Sequence, residues 1–436
     1  MSRDNADVID RVTWRAVVVW SIAVIAYAIA VLARSSLSAT GVEAALRFET
    51  SASALSMFAV LQLAVYSAMQ IPAGAFLDRY GARVAITLGC ALIAAGQVAM
   101  AFASSVPEAV GARVLVGAGD SFVFISVIRL VPAWFPPRAV PLTTQLTGML
   151  GQLGQLGSLV PFVALLDTRG WPTAFVTVGA LAGGIAALVA LVVRDGRARV
   201  VVDLPDDPSP ALSDGRAAPA PVRPPTMRET WRNPGTRAGF WAHFVAPFPT
   251  YSFVLLWGSV YMTRAEGLSA EASLGVLNLY VVSCLVMGPV LGVLAGRFPG
   301  RRLVLVLSVV AAQVLAWALV LAWPGRAPLA TLLVLATTMG AAGPGSLLGF
   351  DYARETNPLR TLGVSTGMVN TGGFISTLTI MLFVGVALDL VGEGTPDLIT
   401  DRGFTIAWLT FIPLWILGVT NLVRADGRLR RAQAAV

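Results

Sequence analysis

Four ionisable side chains lie inside long apolar stretches of this sequence, where a charge is costly. They are Arg34, Arg113, Asp120 and Arg129. An ionised group at the centre of a membrane-spanning helix costs at least about 2.5–3.5 kcal/mol, so such a residue is by default a candidate for function. The chemistry open to these four is the binding of an opposite charge and the exchange of a proton. Which of the two applies depends on the helices that carry them.

The spacing of these residues divides them between helix faces. Arg113 and Asp120 are seven residues apart, which places them on nearly one face, about 10 Å apart along the axis. Arg129 follows Asp120 by nine residues and falls on the opposite face. Arg34 precedes Glu43, the next acidic residue, by nine residues. This places Arg34 about 13.5 Å deeper along the helix axis. Plainer roles compete with function: Arg34 snorkelling to the outer interface, Asp120 pairing structurally with Arg113, and Arg129 pairing with Asp78.

The composition shows what kind of element carries them. The chain has 436 residues, of which 56% are hydrophobic and 13% charged, and its mean hydropathy is +0.74. That shortage of charge excludes an ordinary soluble enzyme, a disordered chain and a nucleic-acid-binding protein. The apolar residues form blocks of about 20 residues, the length that crosses a bilayer as a helix. We therefore predict an all-α integral membrane protein with twelve transmembrane helices, and a first span that is no cleaved signal peptide because it is too long.

The twelve predicted spans fall into two groups of six. The first group is 16–38, 54–77, 83–105, 109–133, 141–166 and 172–194, and the second is 238–262, 271–296, 302–323, 328–350, 362–390 and 404–423. The corresponding domains are an N-terminal six-helix bundle over 1–194 and a C-terminal bundle over 238–436. Between them, 195–237 is rich in proline and arginine, and we expect a flexible connector on one side of the membrane.

The two halves repeat one another in sequence. The segment from Gly74 to Arg83 returns in degenerate form from Gly292 to Arg301, and Thr147-Gly148-Met149 returns as Thr366-Gly367-Met368. Six spans per half give both repeats the same orientation. Parallel repeats of this kind rock against each other around a site near the middle of the membrane, so the architecture predicts a transporter.

The distribution of arginine predicts the orientation. All 31 basic residues are arginine, and 23 of them lie on one side of the membrane if the N-terminus is cytoplasmic, against five on the other. By the positive-inside rule both termini and the connector are cytoplasmic. The formal net charge of +7 then reflects topology and requires no nucleic-acid partner. We expect a multi-pass protein of a bacterial inner (plasma) membrane.

The loop after the second span carries a recognisable motif. It contains Gly74, three residues later Asp78-Arg79, and then Gly81 and Arg83. This pattern resembles the signature of the major facilitator superfamily, whose fold is two parallel six-helix repeats. These residues and Arg129 are the expected gating elements. The second copy has Gly296 where Asp78 stands, so only the first half can form the acidic clasp.

A narrower resemblance covers the first and fourth spans. Ala33-Arg34-Ser35-Ser36, and Asp120 followed by Arg129 and Trp134-Phe135-Pro136, look like the anion:cation symporter branch and the related organophosphate permeases. The resemblance implies that Arg34 binds the anionic group of the substrate. It also implies that Asp120, with Arg113 beside it, takes the coupling proton, and that Gln152 binds substrate.

The sequence departs from that branch in three places. Ala33 stands where sugar-acid symporters have a second acid, so proton stoichiometry and coupling itself stay open. Tyr251 falls where the organophosphate permeases have a second arginine. Asn370 matches an asparagine of the eleventh span, with an interhelical contact as its equal alternative. Tyr27 completes the candidate substrate-binding residues.

Other features favour structural roles. His243, the single histidine, is predicted at the start of the seventh span, where an interfacial structural role is favoured over a proton relay. Glycines repeat every third residue from Gly148 to Gly157, which favours close helix packing over a sliding surface. Cys90 and Cys284 have no metal or disulfide spacing. The sequence also lacks a phosphate-binding loop and any nucleophile with a base, so we expect neither an enzyme nor a cofactor.

The sequence therefore predicts a proton-coupled secondary transporter of a small organic anion, a carboxylate or sugar acid, working by alternating access. The expected partners are the substrate, protons and the lipid bilayer, with a monomer as the unit. The alternatives are proton-driven export of a drug-like or amphiphilic metabolite, which an aromatic cavity would favour, and a transporter-like membrane sensor. The direction of transport and the identity of the substrate stay open.

Overall fold

The computed structural model describes residues 11–49, 52–196, 225–391 and 400–435. The regular structure in these ranges is helical, without strands. Nine helices within them are long and apolar enough to cross a membrane. Two of the nine contain two predicted spans each, and the seventh predicted span is a series of shorter helical pieces outside the nine. All twelve predicted spans are therefore helical.

The first six spans begin and end close to the predicted positions. The first span is Trp14–Ala39, the second and third form the kinked helix Ala52–Phe102, the fourth is Val106–Trp134, the fifth is Val140–Gly151 with Leu153–Leu159 and the start of Pro161–Val192, and the sixth is the rest of that helix. Gly81 and Gly170 mark the boundaries inside the two long helices, with φ of 83° and 79°. This left-handed conformation is cheap only for glycine, so these two residues make the turns.

The last six spans contain more interruptions. The seventh runs from Pro234–Val245 through Phe248–Ser252, Phe253–Trp257, Gly258–Val260 and Tyr261–Ala265; the eighth is Ala270–Arg297, the ninth Arg302–Leu321, the tenth Leu329–Met339 with Ala342–Thr356, the eleventh Leu362–Leu390, and the twelfth Asp401–Leu409 with Phe411–Ala434. Phe253–Trp257 and Tyr261–Ala265 are π-helical. Such π turns concentrate at functional sites, and here they lie on either side of Gly258–Val260.

The predicted connector ends earlier than the sequence indicated. A short helix, Met227–Arg232, begins behind Thr226, whose side chain forms a capping box with Glu229. The seventh span follows at Pro234 behind the Asn233 cap. The prediction of a connector up to 237 was wrong at this end, because the capping residues were not weighed against the prolines around them. Connector residues 197–224 and N-terminal residues 1–10 lie outside the described residues.

Each half has its own apolar core. One cluster of buried side chains belongs mainly to the first six spans, and a second belongs to the last six, where Trp317, Trp408 and Phe411 are fully buried. Between the halves, the second and third spans' helix packs against the eleventh span, and the fifth packs against the eighth. The surface between the bundles is therefore lined by these four elements.

Candidate functional site

The centre of the site is an ion pair between the first and fourth spans. Arg34 donates from Nη1 to Oδ2 of Asp120 across 3.1 Å. The Asp120 side chain is completely buried, whereas Arg34 keeps 20% of its side-chain surface exposed. The other Asp120 oxygen has no hydrogen-bond partner among the described residues. Arg34 therefore does not snorkel to the interface: it is the partly accessible member of a buried pair.

Arg113 lies beside this pair but bonds elsewhere. Its guanidinium donates to the backbone oxygens of Ala33 (3.2 Å) and Arg34 (2.6 Å), and to the side-chain oxygen of Gln62. The structural pair of Arg113 with Asp120 that the sequence offered as an alternative is not formed. Arg113 turns instead to the backbone of the first span, and Asp120 is bonded by an arginine that is remote in sequence.

Tyrosine side chains surround the Arg34 guanidinium. It lies over the ring of Tyr66, 5.7 Å from the centroid, and Tyr27 and Tyr251 are also within its electrostatic range. The rings of Tyr27 and Phe124 lie 5.0 Å apart. Tyrosine combines an apolar ring with a hydroxyl that can donate or accept. The surroundings of Arg34 are therefore aromatic with few charges.

Asn370 bonds across the two halves. Its side-chain amide donates to the Tyr66 hydroxyl (3.1 Å) and to the Gln70 side-chain oxygen (2.8 Å). This is the interhelical contact that the sequence analysis held open. Tyr66 also lies beneath Arg34, so Tyr66 alone separates Asn370 from the Arg34–Asp120 pair. The structure brings it to the site through Tyr66.

Gln152 follows the first helical piece of the fifth span, Val140–Gly151, as its C-terminal cap. It follows Gln145 by seven residues, about two turns, and Gln145 donates to the backbone oxygen of Pro344 in the tenth span. Gln152 is exposed. The glycines before and after it lie against the first span: an ideal Cβ on Gly151 would lie 1.9 Å from the Tyr27 ring, and one on Gly154 1.9 Å from the backbone oxygen of Ala28. These glycines permit contact closer than any side chain allows.

The motif residues join the halves at one end of the bundle, which we name the Asp78 end. Asp78 accepts from the backbone nitrogens of Gly363 (2.7 Å) and Val364 (2.8 Å), where the eleventh span begins. Arg129 lies 3.6 Å from the same carboxylate, which is the pair the sequence offered as its alternative role. A helix N-terminus attracts negative charge, so Asp78 holds the eleventh span against the second.

The remaining motif residues lie around this clasp. An ideal Cβ on Gly74 would lie 2.4 Å from the Gly363 carbonyl oxygen. Arg83 donates its backbone nitrogen to Asp195 (3.1 Å), which also lies against Gly81. Arg79 is exposed and lies over the ring of Tyr80, 5.2 Å from its centroid. A void of about 10 Å³ nearby, lined by Ile128, Phe350 and Asp351 among others, has room for about one water, so it is no substrate site.

His243 is not at the membrane interface. The seventh span begins at Pro234, so His243 lies nine residues inside it and only 8% of its surface is exposed. Its Nδ1 lies 3.0 Å from the backbone oxygen of Ser346, and its ring packs on Phe350. The prediction of an interfacial position was wrong because the start of the helix was placed too late.

Three polar residues near the site were missed by the sequence analysis. Tyr66 lies under Arg34, Gln62 accepts from Arg113, and Gln97 donates to the backbone oxygen of Ala33 (2.9 Å). All three are nearly fully buried. The signal was present for the two glutamines, because a glutamine inside an apolar span needs a partner, but none of the three residues carries a charge or matches a motif position.

The twelve predicted spans are helical and form two bundles, and the buried Arg34–Asp120 pair lies inside the first of them. A sequence profile of the Major Facilitator Superfamily matches residues 23–381, and the chain belongs to that family. It is thus a transporter of this class and not an enzyme.

Individual relatives are distant. The chain is 21% identical to the D-galactonate transporter of Escherichia coli O6:H1, over 84% of this chain and 85% of the relative. It is 24% identical to the probable galactarate/D-glucarate transporter of Bacillus subtilis, over 74% and 75%. The crystal structure of the human organic anion transporter MFSD10 superposes with a TM-score of 0.63 at 15% identity, over 93% of this chain and 99% of that one, and supports the fold alone.

Proposed function

We propose that this protein carries a small organic anion, a carboxylate or sugar acid, across the membrane with a proton by alternating access. The observation that carries the proposal is the Arg34–Asp120 pair, in which the arginine is partly accessible and the acid completely buried. A substrate carboxylate that binds Arg34 competes with Asp120 for the guanidinium. A protonated Asp120 no longer competes for the guanidinium, so proton uptake and anion binding favour each other.

The charge balance supports this exchange. In the empty protein Arg34 faces one carboxylate, and in the loaded protein it faces one carboxylate of the substrate while Asp120 is neutral. The net charge of Arg34, Asp120 and one bound substrate carboxylate together is zero, the same as that of the ionised pair in the empty protein. A buried charge without a partner is strongly unfavourable, so a constant net charge lets both the empty and the loaded protein pass through a closed state.

The relatives support the substrate class. Two of them are named as transporters of D-galactonate and of galactarate or D-glucarate, which are sugar acids with carboxylates. Tyr27, Tyr66 and Tyr251 supply hydroxyl groups around Arg34 for such a substrate. Gln152 and Asn370, on the fifth and eleventh spans, supply amides from the two sides of the site.

The packing of the halves supports alternating access. At the Asp78 end the halves are in contact through Gly74 and Gly363, Asp78 and Val364, and Gly292 and Leu142. We propose that these contacts close one side of the membrane and separate when the other side closes, with Asp78, Arg79, Arg83 and Arg129 as the gating residues. We place this end, both termini and the connector on the cytoplasmic side of the plasma membrane, and we propose that a monomer of two six-helix domains is the functional unit.

The test is transport by the purified protein in liposomes with an imposed proton gradient. Candidate anions are D-galactonate, D-glucarate and simple carboxylates. We expect Asp120→Asn to abolish accumulation driven by the gradient while exchange of labelled for unlabelled anion continues, because the neutral amide mimics the protonated acid. Asp426→Asn is the matched control: this buried carboxylate binds Tyr352 and Arg430, away from the site, and its loss should leave accumulation intact.

Two results would contradict the proposal in different ways. If Asp120→Asn still accumulates anion against a gradient, Asp120 is not the coupling residue. If the wild-type protein moves no anion but expels an amphiphilic cation, the export alternative replaces anion transport.

A further inference from the structure

The backbone oxygen of Ala33, directly before Arg34, receives an unusual number of side-chain donors. Arg113 donates to it across 3.2 Å, Gln97 across 2.9 Å and the Ser36 hydroxyl across 2.9 Å. The next backbone oxygen, that of Arg34 itself, accepts from Arg113 across 2.6 Å. A carbonyl oxygen has two lone pairs, so these donors compete with the helix's own hydrogen bonds at this point.

The competition lies at the functional position of the first span. Side chains that insert into a helical ladder bend or loosen it locally. The direction of the Arg34 side chain is set by the backbone at Ala33 and Arg34, so whatever holds these two carbonyls also holds Arg34. The holder is Arg113 of the fourth span, which is 1% exposed and is fixed in turn by Gln62 of the second span.

We propose that Arg113 is a positioning residue: its guanidinium holds the two backbone carbonyls at Ala33 and Arg34 and thereby aims Arg34 at the anion site. This inference rests on the proposed function for its effect on transport. The planar guanidinium has donors on both terminal nitrogens in a fixed fork, which suits two consecutive carbonyls and the Gln62 oxygen together. The ammonium of a lysine is a point donor and cannot reproduce that fork.

The alternative is that Arg113 acts by its charge on the protonation of Asp120, as the sequence analysis expected. The contacts favour positioning. Arg113 has four neutral acceptors, the Ala33 and Arg34 carbonyls, the Gln62 amide and the Ser36 hydroxyl at 3.5 Å. Among the described residues it forms no ion pair, whereas Asp120 is bonded by Arg34.

Three variants separate the two explanations. Arg113→Lys keeps the charge and loses the fork. Gln97→Leu removes a neutral donor from the Ala33 oxygen without changing any charge. Gln313→Leu is the matched control in the other half, where Gln313 of the ninth span donates to the backbone oxygen of Ala246 in the seventh across 3.1 Å.

The first measurement is the KM, the maximal rate and the pH profile of transport with D-galactonate or the best anion from the liposome screen. We expect Arg113→Lys to raise KM about tenfold or more, the size of one lost hydrogen bond to a charged group, with the pH midpoint unchanged. Gln97→Leu should raise KM in the same direction by a smaller factor, and Gln313→Leu should not raise it. Positioning would be rejected in favour of the charge effect if Arg113→Lys left KM unchanged. It would also be rejected if Arg113→Lys shifted the pH midpoint while Gln97→Leu left KM unchanged.

The second measurement needs no substrate. Backbone hydrogen exchange of the detergent-purified protein should become faster over residues 27–39 in Arg113→Lys, with residues 172–192 of the sixth span as the internal reference. If exchange becomes faster but the protein transports none of the anions, the contact of Arg113 with the Ala33 and Arg34 carbonyls is supported and the proposed function is rejected. Equal exchange in wild type and Arg113→Lys would reject the proposal that Arg113 holds these two carbonyls.

Discussion

In each half of the molecule a glutamine of the third helix donates to a backbone oxygen of the first helix, but the residue that follows this oxygen differs between the halves. In the first half Gln97 of the third span donates to the backbone oxygen of Ala33, and in the second half Gln313 of the ninth span donates to that of Ala246. The residue after the bonded carbonyl is Arg34 in the first half and Pro247 in the second. One repeat therefore places a cation where the other places a residue without a polar side chain.

The difference extends to the fourth helix of each repeat. The fourth span carries Arg113 and Asp120 deep inside, whereas the tenth has no ionised residue before Asp351, near its end. The second half fills its interior with aromatic rings such as Trp317 and Trp408, whose centroids are 5.0 Å apart. The comparison teaches that the repeats share a scaffold of neutral helix contacts, while the buried ion pair between the first and fourth helices is present in only one of them.

The largest effect is expected from removing the cation of the first half. Arg34→Ala should abolish anion transport and also destabilise the protein, because breaking a buried pair leaves an uncompensated charge worth about 3–5 kcal/mol. The double variant Arg34→Ala/Asp120→Ala removes that charge and should recover the thermal midpoint without recovering transport. Uptake in liposomes and thermal unfolding in detergent measure the two effects separately.

The double variant is the informative control. Transport that returns with stability would show that Arg34 serves only to neutralise Asp120, and the contrast between a functional and a structural half would lose its basis.

A smaller, graded effect is expected where both repeats use a glycine at the junction. An ideal Cβ on Gly74 would lie 2.4 Å from the Gly363 carbonyl oxygen, and one on its counterpart Gly292 would lie 2.9 Å from Leu142. An ideal Cβ on Gly184 of the sixth span would have no atom within 4 Å. Overpacking costs about 1–3 kcal/mol. Substitution by alanine should therefore open the Asp78 end most at Gly74, less at Gly292 and not at Gly184.

The opening can be measured as maleimide labelling of a Thr366→Cys reporter, in a background without Cys90 and Cys284. Thr366 lies at the Asp78 end with 1% of its surface exposed. Equal labelling in the Gly74 and Gly292 variants, above that of the Gly184 variant, would mean that the second repeat closes this end as tightly as the first. Equal labelling in all three would mean that neither glycine contact holds this end closed.

The fold, and the burial of charged residues such as Arg113 and Asp120, could be predicted from the sequence because both depend on local patterns. Blocks of about 20 apolar residues predict helices whatever their neighbours, and an ionised residue in such a block is conspicuous because of its cost. The family motif can be recognised from the spacing of Gly74, Asp78 and Arg83. Each of these inferences uses only one segment of chain.

The pairing inside the site could not be predicted, because it depends on helix packing. Asp120 is seven residues from Arg113 and 86 residues from Arg34, yet it bonds the remote one. Helical spacing placed Arg113 and Asp120 on nearly one face, and only the packed bundle shows that a backbone carbonyl of the first span occupies the space in front of Arg113. The aromatic and amide neighbours, Tyr66 and Gln62, carry no charge and match no motif position, so only helix packing brings them beside Arg34 and Arg113.

The smallest effect is expected at the single histidine of the chain, which lies in the second half. His243 lies inside the seventh span with Nδ1 3.0 Å from the Ser346 backbone oxygen. If the charged chemistry belongs to the first half alone, His243→Asn, which can still donate to that oxygen, should leave the pH profile of transport unchanged and alter the maximal rate by about twofold or less, as for an isosteric change of a buried hydrogen bond. His243→Phe serves as the comparison, because it removes the donor while keeping the ring that packs on Phe350. A shifted pH midpoint in both variants would place a second titrating group in the second half. Both repeats would then contribute ionisable groups to transport, and they would differ only in which groups these are.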